Sequence, residues 1–543
     1  MISNKHVEEY IKLFHTNKIK LNKERILLLA HLQKNVLSRD DLYFDNEMLE
    51  NYITFTETFY FKLEPFQKFI AAFVFLFYKE DDAVFYEQFF ITMARGGGKN
   101  GFVSSLAHFF ISPFHGIRKY NISIVANTEK QAKVSFEEVY DVIDTNDDLA
   151  EHFHQTKVEI TDNETKSVIQ YHTSSGKKDG LRDGCVIYDE VHMMENFDII
   201  NVFSSGLGKV KNSREFFIGT NGFVREGVFD KLEERAIDIL DGVEKDDPMF
   251  PFMCKIDSKD EIDNHDMWEK ANPMFCEPKS AYAKGLFKKV LTQYKQLPSN
   301  PSNRAEFVTK RMNLPEEDLS TSVATWENIL ATNREFPDLQ NQECIGGLDF
   351  ARIKDFAAVG LLFRQGDDYI WKTHSFVRKG FLDTGVLKVP IREWEEQGLL
   401  TVVDSDVIEV NNIVNWFVEM REKYDIKKIV ADNYRVDLVR SAFIEAGFEL
   451  EVIRKPTAIH PLLAPRVETI FATNNVIFGD NPLMRWYTQN VFVHIRKDGE
   501  KEFKKKDEFR RKTDGFHAFI HALYRADDIL SDNNEFYLDG INF

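Results

Sequence analysis

Residues 89–100 carry the spacing that a phosphate-binding loop requires. An apolar run typical of a strand leads into three consecutive glycines, and Lys99 follows where a new helix can begin. Glycines let backbone N–H groups approach phosphate oxygens, the lysine can reach the β- and γ-phosphates, and the helix N-terminus attracts negative charge. The pattern therefore predicts a nucleotide site. Its expected contacts in this loop are Arg95, Gly96, Gly97, Gly98, Lys99 and Asn100.

The match to the full P-loop pattern is incomplete at two positions. That pattern has Gly where Met93 stands and Ser or Thr where Asn100 stands. A glycine-rich turn without a ligand is therefore the alternative for this stretch taken alone. Just upstream, Gln67 lies two residues after a proline, and a glutamine amide can bond both the donor and the acceptor edge of adenine. A proline that simply starts a helix is the plainer interpretation of that element.

A second strand ends in two adjacent carboxylates. The apolar residues 185–188 precede Asp189 and Glu190, which is the Walker B pattern. In that pattern the aspartate holds Mg²⁺, usually through water, and the glutamate polarises the attacking water. An ordinary strand that ends in a solvated acidic turn is the alternative for this segment alone.

A third strand, residues 215–219, ends in the small polar residues Thr220 and Asn221. Such a strand can lie beside the Walker B strand and sense the γ-phosphate. Three polar strand ends in this order, with helical patterns between them, predict the parallel α/β sheet of an ATPase.

Length and composition limit these hypotheses. A chain of 543 residues is too long for one core, so two or three domains are expected. The formal net charge of −19 argues against a general nucleic-acid coat but allows a local DNA-binding groove. The four scattered cysteines predict reduced thiols in a cytosolic setting. The N-terminus lacks a signal-peptide pattern, and the longest apolar stretch, residues 69–78, is too short to span a bilayer.

The C-terminal part of the chain places three aspartates at the ends of predicted elements. Asp349 ends a strand, and Asp432 directly follows the strand of residues 428–431. Asp514 caps the last long helix. Clustered carboxylates repel one another until divalent cations neutralise them, and two such ions can clamp the attacking and leaving oxygens of a phosphodiester. The three therefore predict a metal-dependent nuclease, with Asp355 as a weaker candidate, although each aspartate alone could cap a helix or start a turn.

The order of elements predicts two folds in succession. We expect an α/β chain in which a P-loop ATPase domain with a parallel sheet is followed by a ribonuclease-H-like nuclease domain with a mixed sheet. The second domain begins with three strands and continues with alternating helices and strands, which is the ribonuclease-H-like order. The expected parts are an N-terminal helical appendage (residues 1–60), the ATPase domain (61–313), a linker (314–342), the nuclease domain (343–531) and a C-terminal tail (532–543).

Over nearly the whole chain, these segments resemble the large terminase subunit of tailed bacteriophages. Each piece is short, and their order carries the resemblance. The matching segments are residues 63–67, 94–100, 179–181, 187–190 and 220–222, with Ala126, Gln131, Ala132 and His192, and then Trp268, 271–273, Asn313, Trp326, 348–349, Asp432, 481–482, Trp486, Asn490, 514–515 and Ala518. The resemblance implies a motor that packages double-stranded DNA into a procapsid and cuts the concatemer at both ends of packaging.

The resemblance also implies a role for each matching residue. Lys99 would bind phosphates, Asp189 would hold Mg²⁺ and Glu190 would activate water. Thr220 and Asn221 would couple hydrolysis to movement. The nuclease metals would be held by Asp349, Asp432 and Asp514.

Two features of the predicted nucleotide site stay open in the sequence. Asn100 departs from the Ser or Thr usual in this family, and an amide oxygen is a less well placed Mg²⁺ ligand. A charge-stabilising arginine is also expected, and surface arginine is the default interpretation of every candidate. The candidates are Arg95, Arg182, Arg214 and Arg225.

The same resemblance implies cofactors, partners and a location. The cofactors would be ATP with Mg²⁺ and, in the nuclease site, Mg²⁺ or Mn²⁺. The partners would be double-stranded DNA, a portal protein and a small terminase subunit, with a homo-oligomeric ring on the procapsid and no membrane. The protein would lie in the host cytoplasm, transiently on the procapsid, and not in the mature virion.

Two other functions compete with this interpretation. A helicase-like DNA translocase would keep the ATPase motifs and use its C-terminal domain to bind DNA without cutting it. The extended helicase motifs expected downstream of Thr220 are not found, which disfavours this alternative. An ATP-gated assembly protein without turnover is the non-catalytic alternative.

Overall fold

Two compact units, Met1–Glu316 and Glu317–Phe543, make up the chain. The computed structural model describes residues 2–529 apart from residues 174–181, 226, 245–246, 301–302, 317–321, 354, 385–386, 388, 434–435, 497–498 and 507–510 and the side chain of residue 436. The predicted tail, residues 532–543, and the matching segment 179–181 lie outside the described residues. The predicted domain boundaries stay predictions.

The first unit is built on a sheet that is parallel except at one edge. Its strands are β1 Leu42–Phe44, β2 Leu76–Tyr78, β3 Gln88–Thr92, β4 Asn121–Ala126, β5 Phe153–Gln155, β6 Glu159–Asp162, β7 Val168–Thr173, β8 Asp183–Tyr188, β9 Arg214–Gly219 and β10 Met249–Met253. The main sheet has the order β10-β3-β9-β8-β4-β7-β6-β5, and within its described strands the antiparallel pairs are β7 with β6 and β6 with β5. The expected parallel ATPase sheet is therefore confirmed.

The three strands with predicted functional ends are neighbours in this sheet. β9 lies between β3 and β8 and pairs in parallel with both. Because the carboxyl ends of parallel strands meet at one edge of a sheet, the residues that follow β3, β8 and β9 are brought to the same place.

Helices cover the faces of this sheet. The helices of the first unit are α1 Lys5–His15, α2 Lys23–Asn35, α3 Asn46–Phe59, α4 Pro65–Val74, α5 Lys99–Ile111, α6 Glu129–Asp144, α7 Asp147–Ala150, α8 Asp198–Ser204, α9 Val228–Asp241, α10 Trp268–Ala271, α11 Ala281–Gln296 and α12 Arg304–Arg311. Buried residues of the N-terminal helices, such as Val7 and Leu28, belong to the same apolar core as Phe89 and Phe90 of β3. The N-terminal segment thus packs directly on the sheet.

The apolar stretch of residues 69–78 is divided between a helix and a strand. α4 begins at Pro65, where the Glu64 and Gln67 side chains form a capping box, and it ends at Val74. Residues 76–78 instead form β2, which pairs antiparallel with β1. Aromatic residues fit a strand at least as well as a helix, so pairing with β1 decided the outcome.

The second unit contains a mixed sheet in which three antiparallel strands precede parallel ones. Its strands are β11 Glu343–Asp349, β12 Ala357–Gln365, β13 Asp368–Arg378, β14 Leu400–Val403, β15 Asp425–Asp432, β16 Leu450–Ile453, β17 Val476–Ile477, β18 Val491–Ile495 and β19 Lys501–Lys505. The sheet order is β14-β13-β12-β11-β15-β16, with β17 paired to β13, and β18 and β19 form a separate antiparallel hairpin. The predicted ribonuclease-H-like mixed sheet is confirmed.

The last helix of the second unit packs closely on the central strand. The helices of this unit are α13 Trp326–Leu330, α14 Lys379–Leu382, α15 Ile391–Glu396, α16 Val410–Arg421, α17 Val436–Glu445, α18 Pro456–Ala472, α19 Pro482–Gln489 and α20 Asp514–Leu523. A Cβ atom on Gly347 of β11 would lie 2.1 Å from the carbonyl oxygen of Ala518 in α20. Only glycine allows α20 to approach β11 this closely.

Two sequence expectations need correction in this unit. Asp514 was expected to cap α20, but the cap is Thr513 and Asp514 is the first helical residue. Asp432 is the last residue of β15 rather than the residue after it. Each shift is a single residue, which is the usual uncertainty at the end of an element. Among the described residues, no helix is both long enough and apolar enough to cross a bilayer.

Candidate ATPase and nuclease sites

The loop between β3 and α5 has the backbone that its glycines allow. Gly96 and Gly98 have φ angles of 90° and 82°, in the left-handed region that favours glycine, and Gly98 is the N-cap of α5. A Cβ atom on Gly97 would lie 2.6 Å from Sδ of Met93. Met93, which replaces the first glycine of the full pattern, therefore packs into the space over Gly97.

Lys99, the first residue of α5, turns its ammonium group into the site. Its Nζ donates hydrogen bonds to the carbonyl oxygen of Met93 (3.0 Å) and to Oγ1 of Thr220 (2.8 Å). Burial lowers the pKa of Lys99, and the charges of Glu190 and Asp189 oppose this only in part. Its two hydrogen-bonded partners are neutral oxygens, so the positive charge is available to an anion.

Asn100 joins the loop to the Walker B strand. Its Nδ2 donates a 2.7 Å hydrogen bond to Oδ2 of Asp189, the residue after β8. Asp189 is 2% exposed, and burial together with the neighbouring charge of Glu190 raises its pKa to about 7. In the Asn100 side chain it is therefore the amide N–H, and not the oxygen, that faces the carboxylate.

Glu190 is held in a left-handed backbone conformation, with φ of 52°. Its N–H donates to Oδ1 of Asp189 (2.8 Å), and its Oε2 lies 3.0 Å from Nδ1 of His192. Burial opposes the charge of Glu190, but the contact with His192 and the charges of Lys99 and Lys310 prevail and bring its pKa to about 2. The carboxylate is therefore ionised.

Two residues after β9 complete this end of the sheet. Thr220 Oγ1 donates to the carbonyl oxygen of Met93 (2.9 Å), so β9 and the phosphate-binding loop are directly bonded. The N–H of Asn221 donates to Oδ1 of Asn313 (2.6 Å), and Arg225 donates to Oδ1 of Asn221 (3.0 Å). The structure thus brings Lys99, Asn100, Asp189, Glu190, Thr220 and Asn221 together.

The four arginine candidates have different surroundings. Arg214 is buried and donates to Tyr120 and to carbonyl oxygens, so it is part of the core. Arg225 is buried against the Asn221 segment, and Arg182 is exposed. The side chain of Arg95 is 57% exposed and borders a cavity of about 170 Å³. Other cationic residues of that cavity are Lys310 and Arg311.

Gln67 lies beside the phosphate-binding loop but has a local partner. Its Oε1 accepts the N–H of Glu64 (2.9 Å) at the start of α4, as the plainer interpretation of this element requires. Its Nε2 lies 3.4 Å from the position that a Cβ atom on Gly98 would take. An adenine contact stays a prediction.

In the second unit, the ends of two parallel strands bring Asp349 and Asp432 together. β11 and β15 are neighbours, and Leu348 lies opposite Ala431 in their register. The next residue in each strand is one of the two aspartates, so they face each other across neighbouring strands about 5 Å apart. Burial, and then the charge of Asp432, raise the pKa of Asp349 well above its usual range.

Asp514 reaches the same place from α20. The helix is anchored to β11 because His521 Nδ1 lies 2.8 Å from the carbonyl oxygen of Leu348. Asp514 is 3% exposed, and its Oδ2 has no hydrogen-bond partner among the described residues. Burial, followed by the proximity of Asp355 and Asp349, raises the pKa of Asp514 well above its usual range.

Two lysines accompany these carboxylates. Lys505 of β19 lies 2.6 Å from Oδ2 of Asp355, and Lys512 lies 3.2 Å from its Oδ1. Burial opposes the charge of Lys505, but Asp514, Asp355 and Asp349 outweigh it and raise the pKa of Lys505. Asp355, the weaker sequence candidate, is therefore part of the cluster.

The donor set of this cluster suits hard divalent cations. Carboxylate oxygens are the ligands that Mg²⁺ and Mn²⁺ prefer, and the buried, unbonded Oδ2 of Asp514 needs a partner. As they stand, no three or more acidic, histidine or cysteine side chains of the described residues are close enough together to hold a metal ion. Lys505 and Lys512 supply the positive charge instead, through Asp355.

The two units define a class of protein: a P-loop ATPase joined to an acidic, ribonuclease-H-like nuclease. Residues 65–237 match the family model "Terminase large subunit, ATPase domain", and residues 243–528 match "Terminase large subunit, endonuclease domain". The chain belongs to the terminase large subunit family. The endonuclease match begins inside the first compact unit, which continues to Glu316 and includes β10, paired to β3.

The chain is also similar to individual proteins and to a solved structure. The chain is 22% identical over 458 residues to the terminase large subunit of Lactococcus phage p2, covering 81% of this chain and 82% of the relative. It is 24% identical over 383 residues to protein YmfN of Escherichia coli (strain K12), covering 66% and 82%. The crystal structure of the HK97 bacteriophage large terminase aligns with a TM-score of 0.49 at 19% identity, covering 88% of this chain and 99% of that chain.

Family membership settles the general activity. The protein is the ATPase and endonuclease subunit of a viral DNA-packaging motor. The helicase-like translocase without cutting is not favoured, because its C-terminal part would not match an endonuclease family. Membership implies use of a nucleotide and a divalent metal, and DNA packaging together with a portal and a small subunit in general.

Proposed function

We propose that the first unit hydrolyses ATP, bound with Mg²⁺, at the loop between β3 and α5. Lys99 binds the β- and γ-phosphates, because its charge is met only by neutral oxygens in its two hydrogen bonds. Asp189 holds the Mg²⁺, and Asn100 orients that carboxylate. Glu190 polarises the attacking water. The observation that carries this proposal is the convergence of the ends of β3, β8 and β9 at one edge of the sheet.

The rest of the nucleotide is contacted by the loop and by α4. The backbone N–H groups of Gly96, Gly97 and Gly98 cradle the phosphates at the N-terminus of α5. Gln67 contacts the adenine through Nε2, since its Oε1 is engaged by Glu64. Arg95 is the charge-stabilising arginine, because it is exposed within the loop and its ion-pair partner, Glu306 at 3.6 Å, is exposed as well.

We infer that Thr220 and Asn221 couple hydrolysis to movement. Thr220 bonds both Lys99 and Met93, so a change at the phosphates alters the position of the residues after β9. Asn221 is bonded to Asn313, which follows α12. Polar contacts therefore connect the phosphates to α12 through the end of β9.

The second unit cuts DNA with Asp349, Asp432 and Asp514 as metal ligands. Bound Mg²⁺ or Mn²⁺ would neutralise the carboxylates and activate the attacking water. The raised pKa values of Asp349 and Asp514 support this role, because burial and mutual repulsion are relieved by a cation. Asp355 keeps Lys505 beside the cluster.

The finer partners and location follow from this activity. We propose that the protein acts on double-stranded DNA with a portal protein and a small terminase subunit. It assembles as a homo-oligomeric ring on the procapsid, works in the host cytoplasm and is absent from the mature virion.

Plasmid cleavage in Mn²⁺ or Mg²⁺ tests the nuclease. The full chain should cut, and Asp432→Ala should lose at least about 100-fold in rate, since even partners of metal ligands contribute that much. Asp425→Ala is the matched control: it changes an exposed aspartate at the other end of β15, paired with Lys427, and should cut like the unchanged protein. Undiminished cutting by Asp432→Ala would overturn the proposed metal site.

A further inference from the structure

Three side chains from different parts of the first unit form a line behind the nucleotide site. Oε2 of Glu190 lies 3.0 Å from Nδ1 of His192, and Nε2 of the same imidazole lies 2.9 Å from Nζ of Lys310. His192 belongs to the short 3₁₀ turn Val191–Met193 and Lys310 to α12. Both His192 and Lys310 are buried, with 6% and 8% exposure.

The contact with Lys310 determines which nitrogen of His192 carries the proton. A lysine ammonium has only donors, so Nε2 of His192 must accept the hydrogen bond from Lys310. The neutral imidazole then carries its proton on Nδ1, which faces Glu190. Nδ1 of His192 and Oε2 of Glu190 form a charge contact at 3.0 Å, and neither atom makes a well-aligned hydrogen bond to any described residue.

Lys310 is also bonded to the other two functional loops. Its Nζ donates to the carbonyl oxygen of Asn221 (2.9 Å), next to the proposed coupling position. Its own carbonyl oxygen accepts the N–H of Arg95 in the phosphate-binding loop (2.8 Å). One residue of α12 therefore contacts the ends of β3 and β9 directly and the end of β8 through His192.

We propose that His192 and Lys310 are positioning residues for ATP hydrolysis: His192 orients the carboxylate of Glu190 through Nδ1–H, and Lys310 fixes the imidazole tautomer that makes this possible. The inference rests on the proposed role of Glu190 as the group that polarises water. His192 and Lys310 act through the carboxylate of Glu190, and Lys310 links the orientation of that carboxylate to Asn221. A water-activating carboxylate that can rotate away from the γ-phosphate would lose rate without losing nucleotide affinity.

Amide substitutions at His192 separate its two nitrogens. The side-chain nitrogen of Asn can take the place of Nδ1–H, whereas Gln reaches only the position of Nε2. In single-turnover hydrolysis by the full chain, His192→Ala and His192→Gln should lose about 10- to 100-fold in rate, the usual effect of residues that orient an active group. His192→Asn should retain most of the rate. All three should bind a fluorescent ATP analogue within about threefold of the unchanged protein.

A double-mutant cycle tests the role of Lys310. Lys310→Met should slow hydrolysis about tenfold when His192 is present and have no further effect in the His192→Asn background, because an amide has no tautomer to fix. Lys310→Arg should restore part of the rate. Lys289→Met, an exposed lysine of α11, is the control and should leave the rate unchanged.

Failure of this inference can be distinguished from failure of the proposed role of Glu190. The inference is overturned if His192→Gln is as fast as the unchanged protein, if His192→Asn is as slow as His192→Ala, or if Lys310→Met remains costly beside His192→Asn. Thermal unfolding of each variant separates these results from loss of the fold. Normal hydrolysis by Glu190→Gln would instead refute the role of Glu190 itself.

Discussion

The nucleotide site and the nuclease site each place a lysine among carboxylates, but they use its charge differently. Lys99 donates to the neutral oxygens of Met93 and Thr220. Lys505 instead lies 2.6 Å from the carboxylate of Asp355. Lys99 therefore has no carboxylate in its hydrogen bonds, whereas Lys505 is paired with one.

The surrounding charges extend this difference. Lys310 and the exposed Arg95 stand near the nucleotide site, where the nearby carboxylates are those of Glu190 and of the exposed Glu306. The nuclease cluster has four carboxylates, which two lysines balance incompletely; these are Asp349, Asp355, Asp432 and Asp514. The charge that each site lacks identifies its ligand: polyphosphate in the first and divalent cations in the second.

Glu190→Gln should produce the largest effect, and it should affect the nucleotide site but not the nuclease site. The amide keeps the shape of the side chain but cannot act as a base, so single-turnover ATP hydrolysis should fall about 10²- to 10⁴-fold. Nucleotide affinity should change little. Plasmid cleavage without ATP should be unchanged, because the four nuclease carboxylates belong to the other unit.

An exposed glutamate of the same unit provides the control. Glu137→Gln on α6 should hydrolyse ATP at the original rate. A variant at Glu190 that loses cutting and hydrolysis together would show that the two activities are not independent, and the comparison of separate sites would fail.

The sequence predicted the ATPase motifs because their signals are local. Each strand is a short apolar run, and the functional residue follows within two positions, as for Asp189 and Thr220. The proximity of Asp349 to Asp432 could also be predicted from the sequence. Each aspartate is the last residue of a strand, and the fold class makes these two strands parallel neighbours. The element ends were less certain, and Asp514 was displaced by one residue from the expected cap.

The basic partners were not predicted, for a physical reason. Lys310 on α12 has no signal in the sequence, and Lys505 on β19 lies in a run of basic and acidic residues that is typical of a solvated hairpin. Their carboxylate and imidazole partners lie far away in the chain and are brought to them only by tertiary packing. His192 had a signal, its place two residues after Glu190, but the role of its two nitrogens depends on Lys310.

Lys505→Met sharpens the comparison from the nuclease side. Removing one partner of a largely buried ion pair costs about 3 kcal/mol, so without added metal the variant should unfold more easily. Added Mn²⁺ should stabilise the variant more than it stabilises the unchanged protein, because the ion replaces the missing positive charge near Asp355. Thermal unfolding with and without Mn²⁺ measures both effects.

The neighbouring lysine is a matched control for this change. Lys504 is exposed and lies 3.1 Å from Glu502 at the surface of the same hairpin. Lys504→Met should alter stability by less than about 1 kcal/mol and leave the response to Mn²⁺ unchanged. An equal gain from Mn²⁺ in the Lys505 and Lys504 variants would mean that Lys505 does not compensate the acidic cluster.

The smallest expected effect is on stability at low pH, where the two sites should differ because each has a buried histidine with a different partner. Burial lowers the pKa of His192, and its contact with the carboxylate of Glu190 opposes this shift. Nδ1 of His521 lies 2.8 Å from the carbonyl oxygen of Leu348, and burial lowers the pKa of His521 to about 4. Among the described residues, no carboxylate raises the pKa of His521, and the charge of His517 lowers it further.

The sign of this effect follows from the pKa of His521. The folded protein keeps the imidazole neutral down to about pH 4, whereas the unfolded chain binds a proton below its ordinary pKa of 6.5. The stability from a neutral His521 is therefore complete above pH 6.5 and is lost as the pH falls towards 4, with about 2 kcal/mol lost at pH 5. His521→Asn keeps an N–H for Leu348 and cannot titrate. Urea unfolding at pH 7 and pH 5 should show a smaller acid loss in this variant, and an identical loss in both proteins would rule out His521 as the acid-sensitive support of Asp349.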